Sequence, residues 1–223
     1  LPVAEALVHS KYTYNSDDYP YQGYKYFIEN IKTKHITIAN GYSSKTWKNN
    51  SSKIKNTFLT IGADLGTRFG VKLKGIDLII EVAQLLPECE FYIIGGDKIN
   101  IELPNNVHPI GNMPHNELPN FIAEKQFYLQ LSMSEGFPNA LCEAMLAGCV
   151  PIVSKVGAMP QIIGESGYVL TQKDVLQLKE LIKKALVEYS EDLSTKAIKQ
   201  IEDNYTIEKR TELLNTTVLQ LLN

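Results

Sequence analysis

Apolar positions along the chain fall into two regimes, and the change comes near residue 57. From there, short runs of apolar and β-branched residues alternate with stretches whose apolar positions recur every three or four residues. Residues 57–61, Thr-Phe-Leu-Thr-Ile, read as a buried strand. A loop carrying Gly62, Gly66 and Gly70 follows, and residues 75–86 place Ile76, Ile79, Ile80, Ala83 and Leu86 on one helical face. The unit repeats. A strand at 90–94 runs into Gly95-Gly96-Asp97, one at 106–110 into Gly111 and a helix from about His115, one at 127–133 into a helix from Pro138, and one at 150–153 into Gly157 and a helix near Pro160. Residues 173–189, 192–202 and 207–222 keep helical spacing throughout. Strands alternating with helices at this pace predict an α/β fold, a Rossmann-like doubly wound parallel sheet covered on both faces and followed by a helical C-terminal segment.

The first 56 residues follow neither period. Tyr12, Tyr14, Tyr19, Tyr21, Tyr24, Tyr26 and Phe27 crowd around Asp17, Asp18, Pro20 and Gly23, a composition that suits local packing and loop anchoring. A short strand is expected at 35–39, running into the turn pair Asn40-Gly41, and the polar stretch 43–56 reads as a linker.

Composition narrows the function more than the fold. The 223 residues leave room for one large core and an appendage, and 44% apolar with 21% charged residues describes an ordinary globular chain. A net charge of −3 argues against nucleic acid or an anionic membrane as the main partner, because both call for a dense basic face. No apolar run approaches the roughly 18 residues of a membrane span, and residues 1–10 lack the basic start and apolar stretch of a secretion signal. Leu1 in place of an initiator Met suggests a fragment of a longer chain. Cys89, Cys142 and Cys149 form no C-x-x-C pair and leave one odd, which fits a reducing compartment and a cytoplasmic location. His9, His35, His108 and His115 are scattered, so no metal and no other cofactor is expected.

Chemistry in an open parallel sheet belongs at the carboxyl ends of the strands, where loops enter helix N-termini whose unpaired N–H groups attract anions. The most informative of these loops reads Ser134-Glu-Gly-Phe-Pro-Asn-Ala-Leu-Cys-Glu143-Ala-Met-Leu-Ala-Gly148. Pro138 suits a first helical position and Gly148 a helix end, so the helix is expected to run over 138–147. Ala140, Leu141, Ala144 and Met145 make its packed stripe. Glu143 falls at the edge of that stripe beside the small residues Ala140 and Ala147, and Glu135 precedes the helix in the loop. Two carboxylates eight residues apart can grip two parts of a polyhydroxylated ligand, while the free N–H groups around Asn139 to Leu141 face a diphosphate.

The string Glu135-Gly-Phe-Pro-Asn-Ala-Leu-Cys-Glu143 closely resembles the E-x7-E signature of the family-four (group 1) retaining glycosyltransferases. Lys74-Gly75-Ile-Asp77 looks like that family's phosphate-binding Lys-Gly opening of a helix, and Gly157-Ala-Met-Pro160 resembles its later Gly-Gly-x-Pro element. Tyr205-Thr-Ile-Glu-Lys is similar to the start of the terminal helix that crosses back in GT-B enzymes. The resemblance covers about residues 58–222. It implies the C-terminal, donor-binding half of a GT-B fold at 57–223, with residues 1–56 as the tail of an N-terminal domain plus a linker. On that resemblance Glu143 binds ribose hydroxyls and Glu135 the donor sugar, and the backbone of Gly136, Phe137, Pro138, Asn139, Ala140 and Leu141 meets the sugar and diphosphate. Gly62 lies in the first donor loop, Met113 offers backbone contacts to the base, and Lys74 neutralises the leaving phosphate. The family's usual Arg after the first-loop glycine is replaced by Ala63, and Arg68, one of two arginines in the chain, is the candidate substitute. Gln161 stands where the family often has Glu after the Pro.

Catalysis on this pattern rests on Glu135, Lys74 and Arg68, with a nucleotide-diphosphate sugar as substrate and no metal. No Asp-x-Asp motif of the metal-dependent sugar transferases occurs. The implied enzyme builds a bacterial surface polysaccharide or glycolipid, with the acceptor held by an N-terminal domain and the full enzyme at the inner face of the membrane. Two other readings keep the same sheet: a GT-B epimerase or phosphorylase, which should lack the Glu-Gly-Phe-Pro string, and a non-catalytic nucleotide-sugar-binding module. A plain doubly wound domain with no nucleotide site is a third.

Overall fold

The computed structural model describes residues 34–47, 51–63 and 65–222, with residues 2–4, Tyr14, Tyr24, Ile28 and Lys32 ahead of them; the side chains of residues 68, 69, 221 and 222 lie outside the description. Most of the aromatic cluster at 12–27 falls outside it as well; Tyr14 is buried.

Six parallel strands form one sheet: β1 (Ile54–Ile61), β2 (Glu90–Ile94), β3 (Val107–Ile110), β4 (Lys125–Gln130), β5 (Val150–Ser154) and β6 (Tyr168–Leu170). They lie in the order β3-β2-β1-β4-β5-β6, the doubly wound arrangement whose direction of winding reverses between β1 and β4. Register at the centre brings Phe91, Phe58 and Phe127 side by side, with stacked rings 5.1 and 4.8 Å apart. All three are fully buried and form the middle of the core. Every residue of β4 and β5 is buried, as befits strands covered on both faces.

From residue 44 on, the α-helices are α1 (Ser44–Trp47), α2 (Arg68–Leu73), α3 (Ile76–Leu85), α4 (Leu118–Ala123), α5 (Asn139–Leu146), α6 (Met159–Ile163), α7 (Val175–Glu188), α8 (Glu191–Asn204) and α9 (Ile207–Leu222). They gather in two groups. The helix α3 packs against α7, while α5 packs against α8, α4 and α1. Asp174 and Ser190 cap α7 and α8, each accepting from a backbone N–H three residues on.

Several expectations shift. The region 43–56 is more than a linker: it holds α1, whose Trp47 is buried, and the first three residues of β1. Asn56 there takes a left-handed φ of 57°, and the pairing of β1 with β4 slips register between Ile54 and Phe58. That bulge hid the strand's start. No strand forms over 35–39; Ile38 is buried, but its N–H bonds to Pro2 O and the segment joins no sheet. The helix expected from His115 begins at Leu118, and the three-residue strand β6 had no counterpart in the pattern. Pro138 is the N-cap of α5, with φ −73° and ψ 117°, and not its first helical residue.

Candidate functional site

Three loops meet at the carboxyl end of the central strands, and backbone contacts lace them together. After β1 the chain forms α2, then Lys74 and Gly75. Gly75 adopts φ +69°, and a Cβ there would lie 2.2 Å from Leu131 O, so only glycine lets α3 begin this close to the end of β4. Met133 N–H donates to Leu73 O at 2.8 Å across the same seam. On the other side, Gly157 (φ +58°) lies so close to the β4 loop that a Cβ would stand 2.1 Å from Glu135 O, and Ala158 N–H donates to Gly136 O at 3.0 Å. The seams fix Lys74, Glu135 and the entrance of α5 relative to one another.

The first consequence is an ion pair that no spacing predicts. Lys74 Nζ lies 2.6 Å from Glu135 Oε1, with 27% and 15% of the two side chains exposed. Ser132 Oγ donates to the same oxygen at 2.9 Å and Gln130 Nε2 at 3.3 Å. Glu143, one turn inside α5, sits half-buried, and no hydrogen bond or ion pair among the described residues reaches its carboxylate. Burial pushes its carboxyl above the ordinary value, an effect that the nearby His115 partly offsets.

The entrance of α5 has no side-chain cap, so the N–H groups of Asn139, Ala140 and Leu141 have no intrahelical partner. Leu141 is buried in the core and Ala140 packs against it. Phe137 is held between aromatic rings, stacked on Tyr42 at 6.4 Å and edge-on to Tyr205 at 5.2 Å. Asn139 Oδ1 accepts from Asn40 Nδ2 at 3.0 Å and from Tyr42 Oη at 2.7 Å. The segment supplying those donors is pinned in turn, since Arg210 Nη1 donates to Ala39 O and Asn40 Oδ1 and Tyr42 N–H donates to Tyr205 O. Asn40, Tyr42, His115, Gln130 and Ser132 are the residues near the site that sequence reasoning does not assign to it. In the sequence, Asn40-Gly41 reads only as a turn.

The remaining candidates divide. Gly62 stands where expected, but its N–H is spent on Ile94 O at 3.1 Å. Met113 is partly buried and lines a recess with Asn116, Asn120 and Phe121. Arg68 opens α2 rather than lying in an open loop, and its side chain is outside the description. Among the described residues no three His, Cys, Asp or Glu side chains form a metal-binding group. No helix among them is long and apolar enough to cross a membrane.

A lysine, two glutamates and an uncapped helix end, converging on the carboxyl edge of a doubly wound sheet, match a family in sequence as well. Residues 45–203 fit the model of the family described as glycosyl transferases group 1. The chain belongs to that family. A phosphatidylinositol N-acetylglucosaminyltransferase component from Arabidopsis thaliana is 26% identical over 167 residues, covering 67% of this chain and 37% of that protein. The human protein of the same name is 29% identical over 127 residues, covering 51% and 26%. The chain therefore spans roughly a quarter to two fifths of these relatives. Among solved structures, sucrose-phosphate synthase from Thermosynechococcus elongatus superposes with a TM-score of 0.71 at 18% identity, over 84% of this chain and 52% of that one. Anabaena HepE in complex with UDP-glucose gives 0.69 at 16% identity, over 83% and 57%. These likenesses show that this group 1 member shares its doubly wound fold with a little over half of each of those structures.

Proposed function

We propose that this chain is the donor-binding part of a retaining glycosyltransferase that takes a hexose from a nucleoside diphosphate sugar. The observation that carries the reading is the convergence of Lys74, Glu135, Glu143 and the uncapped entrance of α5 on one edge of the sheet. Each member suits one part of the donor. The amides of Asn139 to Leu141 and the ammonium of Lys74 stabilise the negative charge that grows on the diphosphate as the glycosidic bond breaks, without a metal. Arg68 is the second cation of that step. Glu143, half-buried and without a hydrogen bond among the described residues, accepts hydrogen bonds from the ribose hydroxyls, and Glu135 accepts from the sugar. The acceptor, a surface polysaccharide or glycolipid precursor at the cytoplasmic face of a membrane, is bound by a preceding domain. The HepE structures with UDP and UDP-glucose make uridine nucleotides the first to try.

The test is calorimetric titration of the chain with UDP, GDP, ADP and CMP and their sugar conjugates in metal-free buffer, for wild type, Glu143→Ala and Lys74→Ala. One nucleotide is expected to bind, and each substitution to weaken it by more than about 1 kcal/mol, as the loss of a charge-assisted hydrogen bond does. Binding to none of the panel sinks the reading. The chain alone is expected to transfer little sugar, and adding a preceding domain to restore transfer; efficient transfer by the chain alone would contradict that division of labour.

A further inference from the structure

The interior of β4 holds polar residues where its neighbours are apolar. Tyr128, Gln130 and Ser132 alternate along the strand and the residues after it, so they share one face, and all are buried. Burying a tyrosine hydroxyl, an amide and a serine hydroxyl together costs free energy unless each is hydrogen-bonded. Here each is. Tyr128 Oη donates to Gln130 Oε1 at 3.1 Å. Gln130 Nε2 donates to Ser132 Oγ at 2.9 Å and to Glu135 Oε1 at 3.3 Å. Ser132 Oγ donates to Glu135 Oε1 at 2.9 Å. The bonds run in one direction, from Tyr128 along β4 to the carboxylate. The amide orientation of Gln130 follows from this, because only its NH₂ end can serve the carboxylate and only its carbonyl end can accept from Tyr128.

We infer that Gln130, oriented by Tyr128 and acting with Ser132, is a positioning residue that holds Glu135 by one oxygen and presents the other to the donor sugar. Among the described residues every bond to this carboxylate reaches Oε1 and none reaches Oε2. The inference rests on the assignment of Glu135 to the sugar. It gives the buried chain a task that Lys74 cannot perform, because Lys74 turns to the diphosphate when the donor arrives. At that moment Glu135 loses its cation, and the neutral donors Ser132 and Gln130 keep Oε1 in place while Oε2 meets a sugar hydroxyl. Fixing one oxygen beforehand lowers the ordering cost of the other's bond.

The experiment compares wild type, Gln130→Leu and Ser132→Ala, each first checked for a cooperative melt. Affinities for UDP and for UDP-glucose are measured on each; should another nucleotide pair bind the wild type, that pair takes their place. Gln130→Leu is expected to weaken the sugar nucleotide about tenfold more than the free nucleotide, the scale of one lost bond to a charged group, and Ser132→Ala to do the same. Equal losses for both ligands, or no loss, overturn the inference, since a merely structural residue would not single out the sugar. If Gln130→Leu does not fold, Ser132→Ala decides by the same criterion. A ligand-free measurement separates this inference from the wider reading. The side-chain amide signals of Gln130 in a nitrogen-15 correlation spectrum, assigned by their loss in Gln130→Leu, are expected to move in Glu135→Ala and to stay in Glu143→Ala. If wild type binds no nucleotide, the donor-site reading and this inference fall together even with the amide link intact; if wild type binds and the amide signals ignore Glu135, the inference alone falls.

Discussion

Glu135 and Glu143 stand eight residues apart in one motif, yet their surroundings are opposites. Glu135 has a lysine at 2.6 Å and two neutral donors, all on one oxygen. Glu143 has no hydrogen bond or ion pair among the described residues, and burial pushes its carboxyl up against the partial offset of His115. One carboxylate is organised before any ligand arrives. The other is left needing one, and hydroxyl donors from a ligand would supply what its surroundings withhold. A motif with the same letter at both ends thus supports two tasks, because the strand behind Glu135 contributes polar atoms and the helix around Glu143 contributes alanines and core.

The largest way to break this contrast is Gly157→Ala. Its Cβ would collide with Glu135 O from a left-handed backbone, displacing the organised carboxylate while leaving α5 and Glu143 in place. A loss of about 3 kcal/mol of stability is expected from such strain, read as a lowered denaturation midpoint, with sugar-nucleotide binding lost alongside. Next comes Lys74→Ala. Diphosphate affinity should fall by about 2 kcal/mol, whereas stability should change by less than about 1 kcal/mol, since the ion pair it breaks is partly solvated. A stability loss as large as the affinity loss would mean that the pair serves the fold first.

The smallest effect has the most telling sign. Glu143 has a raised carboxyl pKa in the folded chain, so its contribution to stability is complete below the ordinary value of 4.5 and is lost as pH rises through the raised one. Glu143→Gln removes that slope. The variant is expected to be more stable than wild type at pH 7 by less than about 1 kcal/mol, given the carboxylate's solvent contact, and to show no such gain at pH 4. Melting curves at the two pH values test this. A Glu143→Gln variant less stable at pH 7 would show that the attraction of His115 outweighs the cost of burial.

The alternation of strands and helices was legible because buried parallel strands read as apolar runs and their covering helices as amphipathic ones. What escaped were elements that break those rules for local reasons. The bulge at Asn56 interrupts the apolar run of β1, and β6 is too short to show a period. Residues 35–39 have the right residues for a strand, but Ile38 N–H bonds to Pro2 O and no strand forms there, an outcome that lies in tertiary structure and not in the segment. At the site, the E-x7-E string and the Lys-Gly turn were readable as motifs. Their meeting was not, because the Lys74–Glu135 contact spans 61 residues and depends on Gly75 fitting against Leu131. Gln130 passes in the sequence as one more member of a buried strand, and only the direction of its bonds reveals otherwise.

The three cysteines form no bridge and are all buried, and burial pushes each thiol up, Cys89 to about 12. In the native chain they are therefore expected to resist alkylation, since alkylating reagents attack the thiolate. Each becomes reactive only when its own surroundings open, and the three stand at different places: Cys89 just before β2, Cys142 within α5, and Cys149 at the entry to β5. The rates at which a maleimide finds them, one cysteine at a time, are three clocks for local opening. The Cys142 clock runs inside α5, the helix whose entrance belongs to the proposed donor site, so its slowing by a bound nucleotide would report occupancy without any label on the ligand.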